Sequence, residues 1–338
     1  MDLSGVGRRL RRYRRRASLA AKWAAYQAQL TRPPTSPDRM YLESTNACNL
    51  RCIMCPTGLD KQVRPKGFMD YALFTRIVDE MAPRVSTTTL HIWGEALLHP
   101  RIVDMIAYCQ AHGLRSELST NATLLTPELS RQILQAGLGT IYLCLDGATP
   151  ETYERVRRRA DYQETRSNIE AFLQERRRLG LTRPEVRLQI IEIAPTQGEI
   201  AEFRRQWSAR GADRINVKAF DSWGDQIAEV SDLRPESRPL PPRRYPCPNL
   251  WYHVHIYWDG TLVSCDRDFN AAYPLGNVAD GVMKAWRGAQ MARLRRKHIL
   301  GDLADVPSCS NCVEWAWWKP TPFSAQGNAP LPEPSAKP

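Results

Sequence analysis

Short apolar runs that read as strands alternate along this chain with amphipathic stretches that read as helices. After the Pro33-Pro34 break, Met40–Ser44 reads as a strand leading into a cysteine-rich loop. Asp70 is a good N-cap for a helix running to about Met81. Thr88–Trp93, Arg115–Thr120, Ile141–Asp146, Glu185–Ile193 and Arg214–Phe220 read as further strands. Arg101–His112, Pro127–Ala136, Glu151–Arg158, Glu164–Leu179 and Glu199–Arg210 read as the helices around them, the first two ending at Gly113 and Gly137. Repeated strand–helix units imply right-handed crossovers and a parallel sheet. About six units are too few for a closed eight-fold barrel. The expected fold class is therefore α/β, a partial and open (β/α)6 barrel.

The pattern changes beyond residues 231–246, a Pro- and Arg-rich stretch that marks a linker. His253–Trp258 and Thr261–Cys265 flank Asp259-Gly260 and read as a β-hairpin. One amphipathic helix is expected over Val282–His298. The expected organisation is a basic arm and helix over 1–37, the barrel over 38–230, the linker over 231–246, a small hairpin/helix domain over 247–318 and a disordered tail over 319–338.

Composition narrows the class. At 43% hydrophobic residues the chain buries a sizeable core, and no run of about 18 apolar residues suggests a membrane span. No secretory signal pattern is apparent at the start. The net charge is +11, of which residues 1–30 contribute +7 through seven arginines and Lys22 against Asp2. The basic character therefore belongs mainly to an arm. That arm reads either as a frayed, solvated extension or as a contact for an anionic surface, and Ala17–Leu30 within it reads as a short helix docked on the body.

Seven of the nine cysteines cluster by spacing, which favours metal ligation over disulfides and fits a reducing, cytoplasmic setting. Cys48, Cys52 and Cys55 form a CxxxCxxC triad. Three thiolates in eight residues can hold three irons of a cubane and leave the fourth open, whereas zinc sites usually pair cysteines as CxxC and need a fourth ligand. Cys247, Cys265, Cys309 and Cys312 follow as C-x17-C-x43-C-x2-C. By spacing this second group suits zinc or a fully ligated [4Fe–4S] cluster equally. Cys109 reads as packing. Cys144 and Asp146 share one strand face, pointing into the barrel, and are the candidate catalytic residues.

The triad, set in Glu43-Ser-Thr-Asn-Ala-Cys-Asn-Leu-Arg-Cys-Ile-Met-Cys-Pro, resembles that of the radical S-adenosylmethionine (SAM) superfamily over about residues 38–318. The resemblance implies that the open iron chelates SAM and that reductive cleavage yields a 5′-deoxyadenosyl radical. Gly94-Glu95, in His91-Ile-Trp-Gly-Glu, matches the family's Gly-Gly-Glu, so Glu95 is expected to receive the SAM amino group; Trp93 replaces the first glycine. Ser119 and Asn121 resemble residues that approach SAM. Met54 replaces a frequent aromatic, so adenine packing is expected to use backbone contacts there. Cys144 occupies a position usually held by Ser that can touch SAM. Gln189, Lys218 and Asp221 read either as contacts in the same cavity or as satisfied strand-end groups.

The second cysteine group, with Asp259-Gly-Thr-Leu-Val-Ser-Cys and Leu275-Gly-Asn-Val, resembles the SPASM extension in its short twitch form. That implies one auxiliary cluster, hence two [4Fe–4S] clusters and SAM as cofactors. The one-cluster form is found in aminocyclitol dehydrogenases and sugar epimerases. The expected activity is hydrogen abstraction from a carbohydrate or aminocyclitol, oxidising a secondary alcohol, with a sugar or glycoside substrate and a reductant such as flavodoxin or ferredoxin. Epimerisation with Cys144 as hydrogen donor, peptide modification, a ferredoxin-like electron carrier and a nucleic-acid-binding zinc protein are the alternatives.

Overall fold

The computed structural model describes residues 3–235, 240–317 and 319–322. Six parallel strands follow one another across one sheet in chain order: β1 (Arg39–Leu42), β2 (Thr87–Thr89), β3 (Arg115–Thr120), β4 (Thr140–Cys144), β5 (Glu185–Glu192) and β6 (Arg214–Ala219). The register aligns Met40 with Thr88, Thr89 with Glu117, Leu118 with Ile141, Cys144 with Gln189 and Gln189 with Asn216. An order that never reverses winds the chain in one direction and curls the sheet. The curl is visible in one cavity that takes side chains from β1, β3, β4, β5 and β6.

A hairpin of β7 (His253–Ile256) and β8 (Leu262–Val263) completes an eight-stranded sheet. The sequence pattern sets this hairpin apart in a C-terminal unit, yet β7 lies parallel to β1, with Met40 opposite Val254 and Leu42 opposite Ile256. The second cysteine group is thereby tied to the strand that launches the first.

The crossover helices follow their apolar spacing. In α2 (Tyr71–Met81), Phe74, Ile77, Val78 and Met81 are buried at i, i+3, i+4 and i+7, and Asp70 caps the helix by accepting from Leu73 N at 2.9 Å. α3 (Ile102–Ala111), α4 (Pro127–Gln135), α5 (Pro150–Val156), α6 (Tyr162–Arg178) and α7 (Ile200–Ala209) complete the crossovers. Cys109 is fully buried on α3.

Several elements depart from expectation. The N-terminal segment is helical from Leu3: α1 spans Leu3–Gln27, where a frayed extension and a short helix over Ala17–Leu30 were expected. Its second half docks through Leu19, Lys22, Ala25 and Tyr26, with Tyr26 donating to Pro246 O at 2.7 Å. The second strand ends at Thr89 rather than Trp93 because the chain turns there onto the cysteine loop. The helix expected over Glu151–Arg158 ends at Val156, since Arg157-Arg158 pairs antiparallel with Arg51-Cys52. The helix expected over Val282–His298 is two, Val282–Trp286 and α8 (Ala289–Leu300), broken where Gly288 is extended. The tail from residue 323 lies outside the described residues.

Candidate active site

The triad lies in the loop after β1, and that loop is shaped by its own polar side chains. Thr45 Oγ1 donates to Gly67 O at 2.6 Å and accepts from Ala47 N at 3.1 Å. Asn46 donates to Pro65 O and accepts from Gly67 N, both at 2.9 Å. Gly94 presses on the loop directly before Cys48. Its φ is +75°, and a Cβ there would lie 2.5 Å from Ala47 O and 2.6 Å from Thr45 O. Glu95 N then donates to Ala47 O at 2.8 Å. Trp93, in the place of the family's first glycine, does not share the positive φ. Its ring packs on Trp223 and Phe269. Trp223 in turn donates Nε1 to Met54 O at 2.7 Å.

Burial pushes the Cys48 thiol up to about 11 and Cys52 up to about 12, and for each the charges of other triad thiols add to the rise. Arg157 opposes this, with Nη1 3.9 Å from Cys52 Sγ. Three neighbouring thiols on one loop, beside a cation and a backbone cradle that no Cβ can enter, fit a thiolate-ligated cluster whose binding displaces their protons. Among the described residues, no three His, Cys, Asp or Glu side chains converge on a single-ion site.

A cavity of about 320 Å³ opens beside the triad. The three triad cysteines, Met54, Gly94, Glu95, Ser119, Asn121, Cys144, Asp146, Gln189 and Lys218 all line it. Glu95 is 2% exposed and accepts from Leu97 N, Thr120 Oγ1 and Asn121 N at 3.0, 2.8 and 2.8 Å. These donors fix its carboxylate, while burial, the larger effect, raises its pKa. Asn121 donates to Asn49 Oδ1 at 2.9 Å, tying the end of β3 to the cysteine loop.

Cys144 stands between two polar neighbours. Its Sγ lies 3.1 Å from Ser119 Oγ and accepts from Gln189 Nε2 at 3.2 Å, and Asn216 donates to Gln189 Oε1 at 2.7 Å. Burial raises its pKa, so it is a neutral thiol. Asp146 is engaged by partners: Oδ2 receives Arg157 at 2.8 and 2.6 Å and Oδ1 accepts from Ile191 N at 2.7 Å. That geometry makes Asp146 the positioning partner of Arg157. Asp221 is not part of the cavity wall; it pairs with Arg267 at 2.6 Å.

Cys265 and Cys309 are buried and Cys247 and Cys312 partly so. Burial raises all four thiols, to about 12 at Cys309; Cys309 and Cys247 add to the rise at Cys265, Cys247 to that at Cys309, and Cys265 to that at Cys312. Arg244 donates to Cys309 O at 2.8 Å, and Cys312 Sγ donates to Glu314 Oε2 at 2.8 Å. Four buried or partly buried thiols linked in this way fit a fully ligated cluster. The cavity residues that sequence reasoning missed include Tyr41, Arg157, Asp266 and the ring of His91, which burial lowers to about 3 and which accepts from Ser119 N at 2.9 Å. Asp266 alone carried a local signal, its place next to Cys265.

A one-way parallel sheet with three cysteines at the mouth of its cavity and a Gly-Glu cradle beside them defines the radical SAM class of fold. Comparison with known proteins agrees. The radical SAM superfamily model matches residues 42–182, and the iron–sulfur cluster-binding SPASM model matches residues 247–313. The tungsten-containing aldehyde ferredoxin oxidoreductase cofactor-modifying protein of Pyrococcus furiosus is 29% identical over 314 residues, 81% of this chain and 86% of that one. The AdoMet-dependent heme synthase of Methanosarcina barkeri is 32% identical over 36% of this chain and 35% of its own. In fold, BtrN in complex with AdoMet and 2-DOIA matches at TM-score 0.56 and 14% identity, covering 82% of this chain and 93% of that one. SuiB of Streptococcus suis bound to its precursor peptide SuiA matches at 0.61 and 12%, covering 77% and 66%. Residues 42–182 form a radical SAM superfamily domain, and residues 247–313 form a C-terminal SPASM domain. Its cofactors are SAM, the radical-generating [4Fe–4S] cluster and auxiliary iron–sulfur.

Proposed function

We propose that this radical SAM enzyme oxidises a secondary alcohol on a small, polar carbohydrate or aminocyclitol moiety. The observation that carries the reading is Asp266. It follows Cys265 in the chain, and it lines the same cavity as Cys48, Cys52 and Cys55. The cavity thus runs from the first cysteine group to the chain neighbour of a cysteine in the second. The cofactors supply a hydrogen-abstracting 5′-deoxyadenosyl radical on one side and an electron acceptor on the other.

The chain's own residues supply the rest. Cys48, Cys52 and Cys55 hold the first cluster, and Cys247, Cys265, Cys309 and Cys312 the second. Glu95, fixed by its three donors, receives the SAM amino group. Ser119, Asn121, Met54 and Gln189 line the SAM side. Lys218 and Asp266 present opposite charges to a hydroxyl-rich substrate, and the Asp266 carboxylate would take the alcohol proton, while a cluster held by the second cysteine group would supply the electron acceptor. The required reductant is of the flavodoxin or ferredoxin kind.

Cys144 supports a second reading. Its neutral thiol reaches the cavity between Ser119 and Gln189, where it can return a hydrogen atom to a substrate radical and so epimerise the carbon. Product mass separates the two. Reconstituted protein with SAM, dithionite and candidate aminoglycosides is expected to give 5′-deoxyadenosine and a product two hydrogens lighter, in wild type and in Cys144→Ala alike. Unchanged mass with solvent deuterium at the carbon, lost in Cys144→Ala, would establish epimerisation instead.

A further inference from the structure

A second cavity, of about 510 Å³, opens between the end of α1, the end of α8 and the segment entering Cys247. Arg243, Arg244 and Lys319 line it with His298 and Tyr245, and among the described residues no carboxylate contributes to its wall. The helix ends nearby bring partial negative charge, about half a unit each and fading within a turn. Three full positive charges outweigh them.

Two donors at this cavity lack partners. Arg244 spends Nη2 on Cys309 O at 2.8 Å and Nη1 on Ser310 O at 3.4 Å, and its Nε is buried with no hydrogen bond. His298 is 5% exposed, and its Nδ1 accepts from Cys247 N at 3.4 Å. The hydrogen of the neutral ring must then sit on Nε2, and that N–H is also buried without a partner. A buried donor left without a partner is destabilising, and an oxygen acceptor in the cavity relieves that.

We infer that this cavity is a binding site for an oxyanion group, a phosphate or a carboxylate, carried by a small molecule and held by Arg243, Arg244, Lys319 and His298. The site backs directly onto the auxiliary cysteines, through Arg244 to Cys309 and through His298 to Cys247. It is separate from the active cavity, sharing no lining residue with it.

Calorimetric titration of the reconstituted enzyme with inorganic phosphate, pyrophosphate and acetate tests it. One saturable site is expected for at least one probe, and the comparison of phosphates with acetate tells which oxyanion it prefers. Arg243 and Lys319 are exposed, so the double variant Arg243→Gln/Lys319→Gln keeps its fold and is expected to bind about tenfold or more weakly. His298→Phe, with its iron content checked against wild type, is expected to weaken binding as well. Absence of saturable binding for all three probes, or equal affinity in the double variant, would overturn the assignment.

Discussion

Gly94 is the residue on which the cysteine loop closes. The left-handed conformation costs other L-residues roughly 1–2 kcal/mol, and here a Cβ would also strike the carbonyls of Ala47 and Thr45, which are backbone and cannot swing aside. Gly94→Ala is therefore expected to lose about 2 kcal/mol or more of stability and to carry less iron after reconstitution. Unfolding in urea and iron analysis check this; wild-type values in both would refute it. At this scale the sequence motif located the triad, Gly94 and Glu95, because ligand spacing is local. Arg157 was not legible. It lies 105 residues from Cys52 in the chain, and only the short antiparallel pairing of Arg51-Cys52 with Arg157-Arg158 brings the two together.

Among the elements, α5 and α7 are joined by a single carboxylate. Glu199 accepts from Ala148 N at 2.6 Å, Thr149 Oγ1 at 2.9 Å and Thr152 Oγ1 at 2.6 Å. Burial acts to raise its pKa, but these hydrogen bonds outweigh it and the net shift is downward. A lowered folded-state pKa gives stability that is present above the ordinary glutamate range and is lost as pH falls through the folded value. Glu199→Gln is expected to lose about 1–2 kcal/mol at pH 7, with the gap to wild type closing on acidification. A gap in urea midpoint that stays constant from pH 7 into the acid range would contradict this. Helices with apolar periodicity and a cap, such as α2 behind Asp70, were legible. The break at Gly288 was not, because apolar spacing continues across it, and the first half is anchored instead by Glu80, whose carboxylate accepts from Val282 N and Met283 N at 2.7 and 2.8 Å.

Across the whole molecule, the hairpin and the cysteine loop are locked by a buried pair. Arg64 meets both oxygens of Glu43 at 2.6 and 3.0 Å, donates to Phe269 O at 2.8 Å and lies 3.7 Å over the Tyr257 ring, while Trp258 N donates to Glu43 at 3.1 Å. Removing one partner leaves a buried charge, so Arg64→Ala is expected to cost about 3–5 kcal/mol, read as a lowered urea midpoint; Glu43→Gln in the same background should restore part of it. If Arg64→Ala unfolds at the wild-type midpoint, the lock carries no stability. The alternation of strands and helices made the six-stranded order legible. The pairing of β7 with β1 was not, since it joins residues more than 200 positions apart and rests on sheet register rather than on any local pattern. That pairing brings Asp266, the chain neighbour of Cys265, to the cavity lined by the first cysteine group.

The central claim is that Cys48, Cys52 and Cys55 generate the radical while the second group carries a separate cluster. Anaerobic iron counting with a 5′-deoxyadenosine assay on wild type and on Cys48→Ala/Cys52→Ala/Cys55→Ala tests it most directly. Wild type is expected to hold about eight irons and to cleave SAM on reduction, and the triple variant to keep about four and form no 5′-deoxyadenosine. A triple variant with undiminished iron, or one that still forms 5′-deoxyadenosine, would contradict the account.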